Sequence, residues 1–315
     1  MDKEFLRDRF DWLQAELIDI IARKCSNMSL YQRKKLSKLL VKAILPFKFC
    51  RKDYVTNIIM ETLGYTHEDA EKLMIKSTET FVLNSFEMAS LRYMTPETLN
   101  DKIRVEGLEY LKENIRPDRG IVMVSGHFGL WEFIPQWLTL NGFKMTSVAR
   151  IQKNKYVDKW FNEMRERHGA HVTDSGYGLR DILKALHNGH ILGLMMDQDN
   201  GKQGIFMKFM GKWASAPTGP AVISMKLGSP IIPIYVFPNY EGKHLLKIFP
   251  PIDVTKYEKN ILGQQKLTQD YNSIYEEIIR KTPEQWFWLH KRWKTQPADC
   301  PENPSVKALN IDINN

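Results

Sequence analysis

Gly120-Ile121-Val122-Met123-Val124-Ser125-Gly126-His127-Phe128-Gly129-Leu130-Trp131-Glu132 changes character half-way along. Residues 120–124 form a continuous apolar run, the pattern of a strand buried on both faces of a parallel sheet. Residues 130–140 have helical periodicity, tolerate Pro135 near their start, and close on Asn141-Gly142. The stretch therefore reads as strand, turn and helix, the repeating step of an α/β fold. It sets an imidazole and a carboxylate, His127 and Glu132, at the junction. Histidine is readily poised as a base near neutral pH, and a carboxylate accepting its other ring N–H would hold its tautomer. On a continuous helix five residues advance about 500°, leaving the two side chains about 140° apart. They converge only if His127 precedes the helix, a bend that Gly126 and Gly129 permit. A capping or core histidine beside a solvated glutamate fits the same residues equally well.

The alternation continues outward. Strands are expected at the start of IRVEGLEYL, in FKMTSVAR, AHVTDS, HILGLMMDQD, PIIPIYVF and HLLKIFP. Helices are expected over 156–167, 178–187, 217–227 and 267–281. This order predicts a three-layer α/β domain with a mostly parallel central sheet over 101–295. It is preceded by a helical N-terminal region, 1–100, in which Thr66 is a candidate cap. A polar, proline-containing tail, 296–315, is expected to lack fixed structure.

Composition narrows the class. The chain has 315 residues and a net charge of +8. Cys25, Cys50 and Cys300 are scattered, without the spacing of a zinc site or a disulfide framework. A reducing compartment fits them. The N-terminus lacks the apolar core of a signal peptide, and no run of about 18 apolar residues predicts a transmembrane helix. Ten Lys or Arg and no Asp or Glu lie between Arg23 and Lys52. Leu36, Leu39, Leu40 and Ala43 keep helical spacing there, with lysines between them. That suits a helix lying on an anionic membrane surface, and equally one packed on the core with its charges in water. Nucleic-acid binding is the weaker reading, because no recognised reader motif accompanies the charge.

Further residues gather where strands end. Asp197-Gln198-Asp199-Asn200-Gly201 follows one strand and Arg150 another, the edge at which open α/β sheets bind ligands. Arg150 suits a phosphate, or a surface ion pair. The aspartates suit a ligand site, or an Asx turn. Apolar residues 206–213 read as a loop lining a cavity or touching lipid, or folded over the core. Thr218 opens a helix whose free N–H groups suit an oxyanion, or is an ordinary helix start. The Trp-rich, basic stretch 283–294 suits an interface, or a helix packed on the sheet.

GHFGLWE, Arg150, DQDNG, PTGPA and PEQWFWLHKRWKT occur in this order. Together they resemble the bacterial late acyltransferases of lipid A synthesis, a family that includes phosphatidylinositol mannoside acyltransferases. The resemblance covers roughly residues 100–295. It implies fatty acyl transfer from acyl-carrier protein or acyl-CoA to a hydroxyl of a lipid A precursor or related glycolipid. The expected place is the cytoplasmic face of the inner membrane. His127 matches the family's general base and Glu132 its acidic partner. Arg150, Asp197 and Asp199 match positions expected around donor or acceptor. Backbone N–H groups near Gly129 or Thr218 would serve the oxyanion, and the 205–213 segment would border the acyl channel. No metal or other cofactor is expected, because a thioester is already activated. Many members begin with a transmembrane helix, which this sequence lacks, so its basic helices would replace that anchor. A different glycolipid or a lysophospholipid as acceptor, a hydrolase, and a lipid-binding protein without catalysis are the alternatives. No GxSxG elbow supports the hydrolase.

Overall fold

The computed structural model describes residues 3–174 and 179–309. Four helices lead: α1 (Lys3–Asn27), α2 (Leu30–Ile44), α3 (Lys52–Leu63) and α4 (His67–Ser90). Their starts follow from local chemistry. Ser29 and Gln32 form a capping box on α2, and Thr66 accepts the Asp69 N–H on α4. Then follow α5 (Pro96–Lys102), β1 (Ile103–Glu106), α6 (Leu108–Asn114), β2 (Ile121–Ser125), α7 (Phe133–Leu140), β3 (Met145–Ala149), α8 (Lys155–Glu166), β4 (His171–Asp174), α9 (Leu179–His187) and β5 (Ile191–Met195). The chain continues through β6 (Ile205–Phe209), β7 (Lys212–Ala216), α10 (Gly219–Leu227), β8 (Ile231–Phe237), β9 (His244–Ile248), α11 (Ile261–Lys281) and α12 (Pro304–Ala308).

Seven strands form the central sheet, in the order β1-β9-β8-β2-β5-β3-β4. Every neighbouring pair is parallel except β8 with β9. β2 and β5 lie at the centre, covered on both faces. Val122 and Val124 enter one core with α3, α9, α10 and α11. Ile121 and Met123 enter the other with α7 and α8. The expected three layers are therefore present, and an all-apolar β2 is what two covered faces require. α4 contributes Met74 to the first core and Met88 to the second, so the leading helices share both cores with the sheet.

Three expectations are corrected. The segment 205–213 is no loop but part of an antiparallel hairpin, β6 to β7, turned at Met210 and Gly211. Both turn residues have positive φ, 50° and 84°, as a two-residue hairpin turn demands. Its apolar content fills the core: Phe206 and Phe209 are fully buried, and β6 packs on α11. The segment 283–294 is not a helix beyond one short turn, Pro283–Gln285, and its tryptophans 286, 288 and 293 are buried. The start of the tail folds against β6, where Ser305 accepts the Phe206 N–H at 3.0 Å and anchors α12. Residues 310–315 lie outside the described residues.

Candidate active site

His127 sits in a tight turn between β2 and α7, and helical geometry starts only at Phe133. Two glycines make the turn possible. A Cβ on Gly126 would lie 2.3 Å from the Tyr275 hydroxyl. Gly129 has φ +57°, and a Cβ there would lie 2.0 Å from the Val236 carbonyl oxygen. The 285–287 segment clamps the turn from outside: Gly129 donates to the Gln285 carbonyl at 3.0 Å, and Phe287 to that of His127 at 3.1 Å. Asn84 on α4 donates to the carbonyl of Gly129 and to Gln285 Oε1.

The imidazole meets a carboxylate, but not that of Glu132. Asp197, just past the end of β5, takes both the backbone N–H of His127 at 2.8 Å and its ring Nδ1 at 2.9 Å. Parallel pairing of β2 with β5 aligns Ser125 with Met195, so the residues that follow each strand emerge side by side. Tyr275 and Trp286 also donate to Asp197 Oδ2, at 3.2 and 3.1 Å. Asp197 is 3% exposed. Burial opposes its charge, yet the imidazole and these donors outweigh burial and hold its pKa far below the carboxylate range. Burial likewise opposes a charge on His127, but Asp197 prevails, with help from Glu132, and raises its pKa above the ordinary value. The Asp197 bond places the proton on Nδ1, leaving the Nε2 lone pair as the basic position. Trp131 stands edge-on to the ring, 5.2 Å between centroids.

Glu132 binds Arg165 of α8 instead, through two bonds, one of them Nε to Oε2 at 3.0 Å. This corrects the expected His127–Glu132 hydrogen bond. Glu132 is the N-terminal flank of α7 and faces α8, and it acts on His127 only through its field. Arg165 went unrecognised in the sequence because it lies inside an amphipathic helix, indistinguishable from its other surface charges.

The remaining expected residues divide. Asp199 spends its carboxylate within its own surroundings, on Thr295 Oγ1 at 2.9 Å, the Thr295 N–H at 3.2 Å and the Gly201 N–H at 3.2 Å. The N–H of Gly129 is spent on Gln285, which corrects its expected use for an oxyanion. Thr218 flanks α10 without a side-chain cap bond. Arg150 follows β3 at the same sheet edge, exposed, and among the described residues its guanidinium bonds to no protein group. Neither Arg150 nor Thr218 hydrogen-bonds to His127 or Asp197. Among the described residues no group of three or more His, Cys, Asp or Glu could hold a metal.

Beneath the Asp197 loop lies a further residue the sequence did not single out. Arg292 is fully buried, stacks over Phe209 at 5.3 Å, and donates to the carbonyls of Gln198 and Ser215. Burial pushes its pKa down to about 10, against the pull of Asp197 and Asp199.

The sequence model described as "Bacterial lipid A biosynthesis acyltransferase" matches residues 6–295. The chain belongs to that family. The match takes in the leading helices as well as the α/β part. Lipid A biosynthesis acyltransferase 2 of Shigella flexneri is 25% identical, over 67% of this chain and 67% of its own. The lauroyltransferase of lipid A biosynthesis in Escherichia coli is 24% identical over 75% and 76%. A phosphatidylinositol mannoside acyltransferase of Mycobacterium tuberculosis is 24% identical over 60% of this chain and 59% of its own length.

Proposed function

We propose that this protein transfers a fatty acyl group from an acyl thioester, on acyl-carrier protein or coenzyme A, to a hydroxyl of a glycolipid of the lipid A precursor class. The observation that carries the reading is the His127–Asp197 pair, in a turn clamped from three sides, with Nε2 free of protein partners among the described residues. His127 Nε2 removes the acceptor hydroxyl proton as that oxygen attacks the thioester carbonyl carbon. The carbonyl π pair moves onto oxygen. Collapse then breaks the carbon–sulphur bond, and His127 returns its proton to the departing thiolate. Asp197 stabilises the imidazolium in between.

Glu132 and Arg165 form an ion pair beside the base. Glu132 adds negative potential at His127, while Arg165 moderates it. Arg150, unpaired at the same sheet edge, is suited to a phosphate of donor or acceptor. Thr218 and the first-turn N–H groups of α10 remain candidates for substrate contact. Asp199 holds the loop through Thr295.

The acceptor is a membrane lipid, and the outer surface of the leading helices suits such a surface. On α1, Leu6, Phe10, Leu13, Leu17, Ile20 and Ile21 are each 38–60% exposed. At 100° per residue they fall within an arc of about 100°, roughly opposite the buried Ala15 and Ala22. Exposed Lys34, Lys35, Lys38 and Lys42 on α2 form no ion pairs among the described residues. An apolar stripe on α1 and unpaired lysines on α2 each fit peripheral docking on anionic lipid. No described helix is long and apolar enough to cross a membrane.

The test is incubation of purified protein with acyl-carrier-protein and coenzyme A thioesters and a lipid A precursor, followed by mass spectrometry, with His127→Ala in parallel. A product heavier by one acyl chain, lost in the variant, supports the proposal. Free fatty acid alone would favour a hydrolase, and acyl chain trapped on the protein would contradict direct transfer.

A further inference from the structure

An acyl transfer of this kind needs a hydrogen-bond donor for the oxygen that gains charge when the tetrahedral intermediate forms. In the turn carrying His127, the backbone N–H groups of residues 127–130 are already committed within the protein. Four consecutive N–H groups are spent: His127 on Asp197, Phe128 on the Gly126 carbonyl, Gly129 on that of Gln285, and Leu130 on that of Val236. In the loop after β5, the N–H groups of Asp199, Asn200 and Gly201 are also spent.

A side chain beside them is prepared for the task. His290 is partly buried, and its Nε2 accepts the backbone N–H of Asp199 at 2.9 Å. An imidazole nitrogen that accepts must be unprotonated, so the ring's proton resides on Nδ1. Burial, Arg292 and His127 all resist a second proton and outweigh Asp197 and Asp199, leaving the ring below its ordinary pKa. His290 is therefore held neutral, with Nδ1–H as a donor that meets no protein acceptor among the described residues. It also belongs to the same constellation as the base. The His127 ring is bonded to Asp197 and the His290 ring to Asp199, two residues further along one loop.

We propose that His290 is a second catalytic histidine, whose Nδ1–H donates a hydrogen bond to the thioester carbonyl oxygen and strengthens it as that oxygen becomes an oxyanion. The inference rests on the acyl-transfer reading. No proton changes hands at His290: the acceptor proton goes to His127 Nε2 and then to the leaving sulphur, and His290 keeps its own throughout. A neutral imidazole suits this, since it can donate without competing with His127 for the hydroxyl proton.

Two near-isosteric substitutions separate this role from bracing of the loop. In His290→Asn the amide nitrogen lies near the position of Nδ1, preserving the donor and losing the contact with Asp199. In His290→Gln the terminal group lies near the position of Nε2, where its oxygen accepts the Asp199 N–H, and the Nδ1 donor is lost. Turnover of an acyl-carrier-protein thioester with a lipid A precursor is measured for both, with melting temperatures.

The expected result is kcat within about tenfold of the parent for His290→Asn and reduced about 100-fold or more for His290→Gln, with KM little changed in either. The opposite pattern would assign His290 to bracing Asp199 alone. Equal retention, or equal loss at unchanged melting temperature, would overturn the proposal as well. If both variants melt early, His290→Gly with added imidazole decides: restored turnover supports the donor, and none contradicts it. Absence of turnover in the parent protein would overturn the acyl-transfer reading itself, before His290 is in question.

Discussion

In the proposed mechanism His127 acts as a base only from its neutral form, and Asp197 raises the pKa at which that form appears. The rate kcat/KM should therefore rise with pH through an apparent pKa above the ordinary histidine value of about 6.5, and level off beyond it. A pH–rate profile checks the sign; a rising limb centred well below that value would contradict the pairing. Arg165→Ala leaves the Glu132 carboxylate buried without its partner, a change costing about 3–5 kcal/mol where a charge pair is enclosed. A lowered melting temperature and weakened activity are expected, with Arg165→Lys retaining part of both. The His127 turn was legible in the sequence, because glycines and an apolar run mark it locally. Its partner was misassigned to Glu132, since neighbours in sequence are easily weighed, whereas Asp197 reaches His127 through the pairing of β2 with β5.

Among elements, α4 ties the leading helices to the sheet and to the His127 turn. Its buried Glu87 is surrounded by Arg33 of α2, Lys102 of α5 at 2.8 Å and His244 of β9 at 3.6 Å. Burial opposes the charge, but the hydrogen bond from His244 and the cations Lys102 and Arg33 hold the Glu87 pKa down to about 2 from an ordinary 4.5. A depressed carboxylate contributes stability that is fully present above its unfolded pKa and lost as pH falls through the folded value. The window is thus pH 4.5 down to about 2, and the contribution is about 3 kcal/mol. The melting temperature should drop across that window, and Glu87→Gln should flatten the drop. An unchanged slope in the variant would contradict this assignment. Most strands and helices were legible from periodicity. The β6–β7 hairpin was not, because α11 and α12 cover β6 and leave Lys208 as its single exposed residue, so alternation is concealed. The buried tryptophans after α11 misled for a related reason: their ring N–H groups find partners inside, Trp286 on Asp197, Trp288 on the Pro283 carbonyl and Trp293 on that of Phe209.

At the scale of the whole molecule, the chain combines the His127–Asp197 site at the sheet edge with an outer face of exposed apolar side chains on α1. The sequence pointed to basic α2 as the surface helix; the exposed stripe lies on α1, whose both faces are apolar, so periodicity alone did not reveal it. Binding to vesicles containing phosphatidylglycerol should fall at least tenfold in a Phe10→Asp, Leu17→Asp double variant, and should weaken with salt. Unchanged sedimentation with vesicles would assign the stripe another role. Turnover in detergent solution should survive this variant, because the stripe is separate from His127 and Asp197. The central claim is that Asp197 makes His127 a base. Its most direct test is single-turnover acyl transfer by the parent and by Asp197→Asn at pH 8, with the acylated glycolipid quantified by mass spectrometry. The account predicts a rate lower by about 10³–10⁴ in a protein that still folds and binds donor. A variant that transfers acyl chain within tenfold of the parent would contradict it.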